Sequence, residues 1–148
     1  MLGDVLLIND LHKRAAVSIH NSLNEIMEAK KNGYKYIVAI SGESGAGKSE
    51  LSHSLALLIK ADGKRVKVLH TDNYYKVPPT ERTEWRKKNG VSKVGVNEYD
   101  WKLLNRNIKE FREGREALMP CIDIISQQTN EELHKLTLVQ YLIVHLSI

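Results

Sequence analysis

The residues best placed to do chemistry are Gly42-Glu43-Ser44-Gly45-Ala46-Gly47-Lys48-Ser49, which satisfy the pattern G-x-x-x-x-G-K-[ST] at every fixed position. Glycines allow the backbone to curl without Cβ clashes, so that successive amide N–H groups converge on an anion while a helix N-terminus adds partial positive charge. In such a loop Lys48 reaches the β- and γ-phosphates of a nucleoside triphosphate, ATP or GTP, and the Ser49 hydroxyl serves Mg²⁺. All eight residues, Gly42 to Ser49, are therefore candidate nucleotide contacts. Asp72, within Thr71-Asp72-Asn73-Tyr74-Tyr75, is the second candidate. Its carboxylate has the chemistry to take a proton from a hydroxyl attacking a γ-phosphate, or to touch the Mg²⁺ shell through water. The plain alternative for Asp72 is an Asx-turn at a strand end.

These groups need a scaffold, and the flanking sequence predicts one. Tyr36-Ile37-Val38-Ala39-Ile40-Ser41 is short, apolar and partly β-branched, as in a buried strand running into the loop. Leu51, Leu55, Leu58 and Ile59 then return at helical spacing. After the turn Ala61-Asp62-Gly63-Lys64, Arg65-Val66-Lys67-Val68-Leu69-His70 reads as a second strand. Strand, loop, helix and strand make a βαβ unit, which expects a right-handed crossover and both strand ends on one side of the sheet. That expectation sets Thr71–Tyr75 beside the loop, where ligands bind in open α/β sheets. Tyr74 and Tyr75 either pack on the core or line an acceptor pocket.

Residues 4–31 carry Val5, Ile8, Leu11, Ala15, Ile19, Leu23 and Ile26 mostly three or four apart, which predicts an amphipathic helix or helix pair closed by Asn32-Gly33. His12 and His20 on this segment lack partners at metal-ligand spacing and are read as surface or packing residues. Val77-Pro78-Pro79 interrupts the chain, and Thr80 looks like the cap of a helix through Trp85. A further helix, opened by Asn97 or Asp100, runs through Trp101 to Gly114. Trp85 and Trp101 are read as core anchors. Residues 120–126 and 133–139 predict a hairpin around Gln127-Gln128-Thr129-Asn130, and Tyr141–Ile148 a last apolar strand.

Composition narrows the class. The 148 residues suit a core that needs no disulfide, and the single Cys121 excludes one within the chain and suits a cytoplasmic protein. No apolar run reaches the length of a membrane span, so no membrane partner is expected. The formal charge of +4 is compatible with anionic small molecules and only weakly with nucleic acid. Arg82, Arg86, Lys87, Lys88 and Lys93 read as a solvated helix face, with a phosphate-attracting rim as the alternative.

Taken in order, these pieces resemble the uridine kinase and phosphoribulokinase group of P-loop kinases, which also includes bacterial pantothenate kinase. The resemblance rests on the loop Gly42–Ser49, on Asp72-Asn73-Tyr74-Tyr75, on Tyr99-Asp100 opening a helix, on Gly114, Pro120 and Asp123, and on Tyr141-Leu142-Ile143-Val144 as the strand at the sheet centre. It implies an α/β fold of the P-loop NTPase type, a three-layer sandwich with a mainly parallel sheet, an N-terminal helix and a β-hairpin insertion, truncated at its C-terminus. Residues 1–33 would form the helical segment and 34–148 the N-terminal part of the kinase-like domain. It also implies transfer of a γ-phosphate to a hydroxyl of a small molecule. Lys48 and Asp72 would be catalytic, Ser49 and Asp72 would serve Mg²⁺, and Tyr74, Tyr75, Asp100 and Asp123 would lie on the acceptor side. The chain departs from the group at Val94, Ile122, Gln127 and His145-Leu146, and no lid helix with arginines follows. Weak or no turnover is therefore expected of the chain as it stands. Two other readings remain open: a nucleotide-binding or scaffolding module completed by a second copy or another partner, and a nucleic-acid-associated ATPase.

Overall fold

A run with no polar face organises the sheet. Tyr141, Leu142, Ile143, Val144 and His145 are each at most 6% exposed, the burial expected of a strand covered on both sides. The computed structural model describes residues 5–30, 33–123 and 125–147. Its elements in chain order are α1 (Asp10–Glu28), β1 (Tyr36–Gly42), α2 (Lys48–Ala61), β2 (Val66–His70), α3 (Pro79–Asn89), α4 (Trp101–Glu113), β3 (Glu116–Ile122), β4 (Thr129–Lys135) and β5 (Tyr141–Ser147). They divide into two compact units: Leu6–Leu69 with Leu138–Ser147, and a second centred on His70–Thr137.

In the first unit β5 lies between β1 and β2, so the last strand in sequence is central, as expected. It pairs in parallel with β1 from Tyr36↔Tyr141 to Gly42↔Ser147, and the Tyr36 and Tyr141 rings stack at 5.3 Å. Ile40, Leu55, Ala56, Ile59, Tyr141 and Ile143 join Ala16 of α1 in one core. The Tyr141 hydroxyl bonds the Met27 sulfur, and His20 Nε2 lies 2.8 Å from Asp62 Oδ2, which fastens α1 across the end of α2.

Helix α1 corrects two expectations. It is one helix and starts at Asp10, because Asn9 Oδ1 accepts the Leu11 and His12 amides at 3.0 and 3.1 Å and so ends the extended chain. Val5 stands 79% exposed ahead of it. Its inward face is Ala16, Ile19, Leu23 and Met27, whereas Leu11 and Ile26 are exposed. Two apolar stripes share Ile19 and Leu23, and packing against α2 selects between them. The stop signal at Asn32 lies outside the described residues.

In the second unit a 3₁₀ turn, Thr71–Tyr74, packs against β3, and α4 covers the same strand. Buried Asn107 holds this junction: Oδ1 accepts the Tyr74 hydroxyl at 2.8 Å, and Nδ2 donates to Leu118 O at 3.1 Å and Glu110 Oε2 at 2.9 Å. Asn73 Oδ1 accepts the Ile122 amide at 3.2 Å. The hairpin is present, but β3 and β4 pair from Glu116↔Lys135 to Ile122↔Thr129, which makes Thr129 and Asn130 strand residues instead of turn residues. Strand β4, Thr-Asn-Glu-Glu-Leu-His-Lys, is almost wholly exposed and has no apolar alternation to betray it.

Helix α3 begins at Pro79, one residue before the Thr80 expected as its cap, since proline is well suited to a first helical position where its missing N–H is no loss. No side chain caps it. The tryptophans are not core anchors: Trp85 is half-buried and Trp101 is 37% exposed, its Nε1 donating to Val96 O at 2.7 Å. Nor is the basic face wholly solvated. Arg86 makes a two-pronged bond to Glu98, 2.6 Å from Nε and 2.9 Å from the terminal nitrogen, and the Gly95 amide donates to the same carboxylate at 2.8 Å.

Two stability predictions follow from this packing. Ile143→Ala should cost about 2–5 kcal/mol in urea unfolding, while Leu133→Ala on the exposed β4 should stay within about 0.5 kcal/mol. The Arg86 bond, reinforced by the Gly95 amide, outweighs burial and holds the Glu98 carboxyl below its ordinary 4.5. Its contribution is therefore complete above that pH and disappears as pH falls through the lowered native value. Glu98→Gln should lose about 1–2 kcal/mol at neutral pH, less than a fully buried pair because Arg86 is 40% exposed. The two proteins should converge in stability in acid, as read by denaturant melts across pH.

Candidate functional site

Strand β1 delivers the chain directly into the glycine-rich loop, and the loop curls as its sequence requires. Gly45 and Gly47 both adopt φ +78°, a left-handed conformation costly for other residues. The Ala46 amide donates to Glu43 O at 3.2 Å, and the first bond of α2 runs from the Leu51 amide to Gly47 O at 3.0 Å. Gly47 caps α2 without a side chain, which leaves the amides of the first turn available to an outside acceptor.

Lys48 folds back over the loop. Its Nζ donates to Glu43 O at 2.6 Å, and the residue is 7% exposed. Among the described residues no carboxylate forms an ion pair with it. A buried ammonium held by a neutral carbonyl keeps its charge uncompensated, and an anion against the loop would compensate it. Ser49 follows in the first turn of α2 and is half-buried.

In the second unit, Asp72 sits in the 3₁₀ turn that follows β2, with an aromatic cluster around it. Tyr99 Oη lies 3.4 Å from Asp72 Oδ1 and 2.9 Å from Tyr75 Oη, and the Tyr75 and Tyr99 rings approach to 4.3 Å. The Tyr99 hydroxyl is the donor in both contacts, so its one proton is shared between the Tyr75 hydroxyl and the Asp72 carboxylate. Burial first, then the Tyr75 bond, pushes the Tyr99 phenol far above its ordinary range, and it stays protonated at working pH. The Arg82 guanidinium lies 3.6 Å over the Tyr75 ring, a cation–π contact that brings one basic residue of α3 to the cluster.

Three other sequence candidates hold local structure, Tyr74 through a side-chain bond and Asp100 and Asp123 through backbone amides. Tyr74 is buried and bonded to Asn107. Asp100 accepts the Leu103 amide at 3.0 Å as the cap of α4, and Asp123 accepts the Ile125 amide at 2.9 Å in the hairpin loop. Hence Asp72, Tyr75 and Tyr99 come together, and Asp100 and Asp123 serve turns. Glu98, with its Arg86 partner, escaped sequence reasoning because nothing in the local pattern marks a pair twelve residues apart.

For a metal ion, the described residues contain no cluster of three or more His, Cys, Asp or Glu. The candidate donors are the Ser49 hydroxyl and the Asp72 carboxylate. They lie in different units, and each is the kind of oxygen ligand that Mg²⁺ takes beside substrate phosphates and water. No described helix is long and apolar enough to cross a membrane.

Comparison with known proteins bears on the fold and the family. The chain aligns with a structure described as a "possible uridine kinase" from Bacillus stearothermophilus at TM-score 0.64 and 18% identity, covering 86% of this chain and 69% of that one. It aligns with D-glycerate 3-kinase from Cryptococcus neoformans at TM-score 0.60 and 14% identity, covering 93% and 52% respectively. The chain thus spans roughly half to two thirds of the length of these structures. At such identities the likeness establishes the fold, an α/β P-loop kinase architecture with a mainly parallel sheet. Residues 37–138, more than half of the chain, match the sequence model of one family. On that match, the chain belongs to the phosphoribulokinase/uridine kinase family.

Proposed function

We propose that this protein binds a nucleoside triphosphate with Mg²⁺ at Gly42–Ser49 and is a kinase-type phosphotransferase, moving the γ-phosphoryl group to a hydroxyl of a small molecule. The observation that carries this reading is Lys48, a buried ammonium that donates to the Glu43 carbonyl and, among the described residues, pairs with no carboxylate, at the start of a helix whose Gly47 cap offers no side-chain acceptor. Family membership and the kinase fold of the solved relatives support it.

On this reading, the loop amides and Lys48 hold the β- and γ-phosphates and offset charge that spreads over the transferring group. Ser49 would hold Mg²⁺, with Asp72 reaching its water shell as the family resemblance implies, and the ion would supply neutralisation of phosphate oxygens. Asp72 takes the proton of the acceptor hydroxyl. That oxygen forms its bond to γ-phosphorus as the bond to the bridging oxygen breaks, and the diphosphate leaves with the displaced electron pair. Tyr99, kept protonated, orients the Asp72 carboxylate, and Tyr75 with Arg82 lines the acceptor side. The acceptor is written only as a hydroxyl compound.

Calorimetric titration with a non-hydrolysable ATP analogue and Mg²⁺ tests the nucleotide half. Lys48→Ala should weaken binding by a factor of 10² or more, about 3 kcal/mol, and equal binding by variant and parent would exclude the loop as the site. Asp72→Asn should leave analogue affinity within about threefold and lower phosphoryl transfer by 10²-fold or more, in the range of a general base. Undiminished transfer by Asp72→Asn would remove Asp72 from that role.

A further inference from the structure

Helix α1 meets the phosphate loop at His12. A Cβ placed on Gly47 would lie 2.5 Å from His12 Nε2, 3.2 Å from Cδ2 and 3.5 Å from Cε1. Since Cδ2 and Cε1 flank Nε2 in the ring, the imidazole approaches Gly47 with its Nε2 corner leading. The glycine is thus demanded twice, once by its φ of +78° and once by the ring that occupies the space of a side chain.

The other ring nitrogen fixes what Nε2 presents. His12 Nδ1 accepts the Asn9 backbone amide at 3.2 Å, closing a reciprocal capping box with the Asn9 side chain. An acceptor at Nδ1 leaves the proton of the neutral ring on Nε2. The corner directed at the loop is therefore an N–H donor.

The choice of residue carries a second signal. This position in a capping box is ordinarily Glu or Gln, whose side chain reaches back to the same amide. Histidine does that work here with one nitrogen and keeps a donor on the other, whereas a glutamate would set a negative charge against a loop built for anions. A departure from the local rule at one helix start, coinciding with contact to the phosphate loop, marks a functional position.

We propose that His12 is a further ligand-contacting residue of the nucleotide site, its Nε2–H donating to a phosphate oxygen of the nucleotide held by Gly45–Ser49. This inference rests on the nucleotide-binding reading above and adds to it a contact made from outside the loop. It also gives α1 a part in nucleotide affinity, through the Ala16 and Met27 packing that holds the helix in place.

The test measures calorimetric binding of Mg²⁺ with the ATP analogue, and of inorganic tripolyphosphate, to the parent, Lys48→Ala, His12→Ala and His12→Glu proteins, with thermal melts of each. His12→Ala should weaken both ligands about tenfold, the value of one hydrogen bond to a charged group. His12→Glu preserves the capping acceptor, so its melting temperature should match the parent, yet it should bind tripolyphosphate more weakly than His12→Ala. A capping role alone predicts the reverse, with His12→Glu binding as the parent does, and that result would overturn the proposal. Parent-like binding by His12→Ala would also overturn it while leaving the loop assignment intact. Failure of the parent itself to bind either ligand would remove both readings together.

Discussion

The seven-residue parallel ladder between β1 and β5 is the constraint on which the first unit depends. It begins where the Tyr36 and Tyr141 rings stack and ends at Gly42↔Ser147, so hydrogen-bonded pairing reaches the first glycine of the phosphate loop. A loop anchored at its first residue by a central strand, and at its last by α2, has little freedom except in its middle. There Gly45 and Gly47 supply the left-handed turns and Lys48 closes over the Glu43 carbonyl. The loop geometry is thus a consequence of strand pairing and core packing, not of the loop alone.

The second unit solves a different problem with polar side chains. Asn107, Asn73 and Glu98 are each buried, and each is bonded, so their desolvation is offset while the positions of the Thr71–Tyr74 turn, α4 and the hairpin are specified. The result around Asp72 is an aromatic cluster with fixed hydroxyls, in which Tyr99 touches both Tyr75 and the carboxylate. Arg82 shows how a charge run is misjudged from composition. Its neighbours Lys87 and Lys88 face solvent, but Arg82 lies on an aromatic ring.

How much was legible depends on whether the signal was local. The phosphate loop was, because its fixed spacing and flanking strand and helix all lie within about 25 residues, and so was the last strand as an apolar run, though its central position came only from the family resemblance. The hairpin was expected but the bounds of β4 were hidden, since its seven residues are mostly polar and it exists by pairing with β3. The inward face of α1 was ambiguous because two stripes share Ile19 and Leu23. Asp72 could be placed at a strand end, but its Tyr99 contact spans 27 residues and carries no sequence pattern. His12, read as a surface or packing residue, meets Gly47 only through folding.

The central claim, that Gly42–Ser49 is a working phosphate site, is tested most directly at the loop amides themselves. Backbone ¹⁵N–¹H resonances of Gly45, Gly47, Lys48 and Ser49 should shift downfield on addition of Mg²⁺ and the ATP analogue, as amides that acquire an anionic acceptor do, while those of β4 stay unchanged. Loop amides that keep their positions at saturating nucleotide, in a protein whose β5 resonances show it folded, would contradict the account.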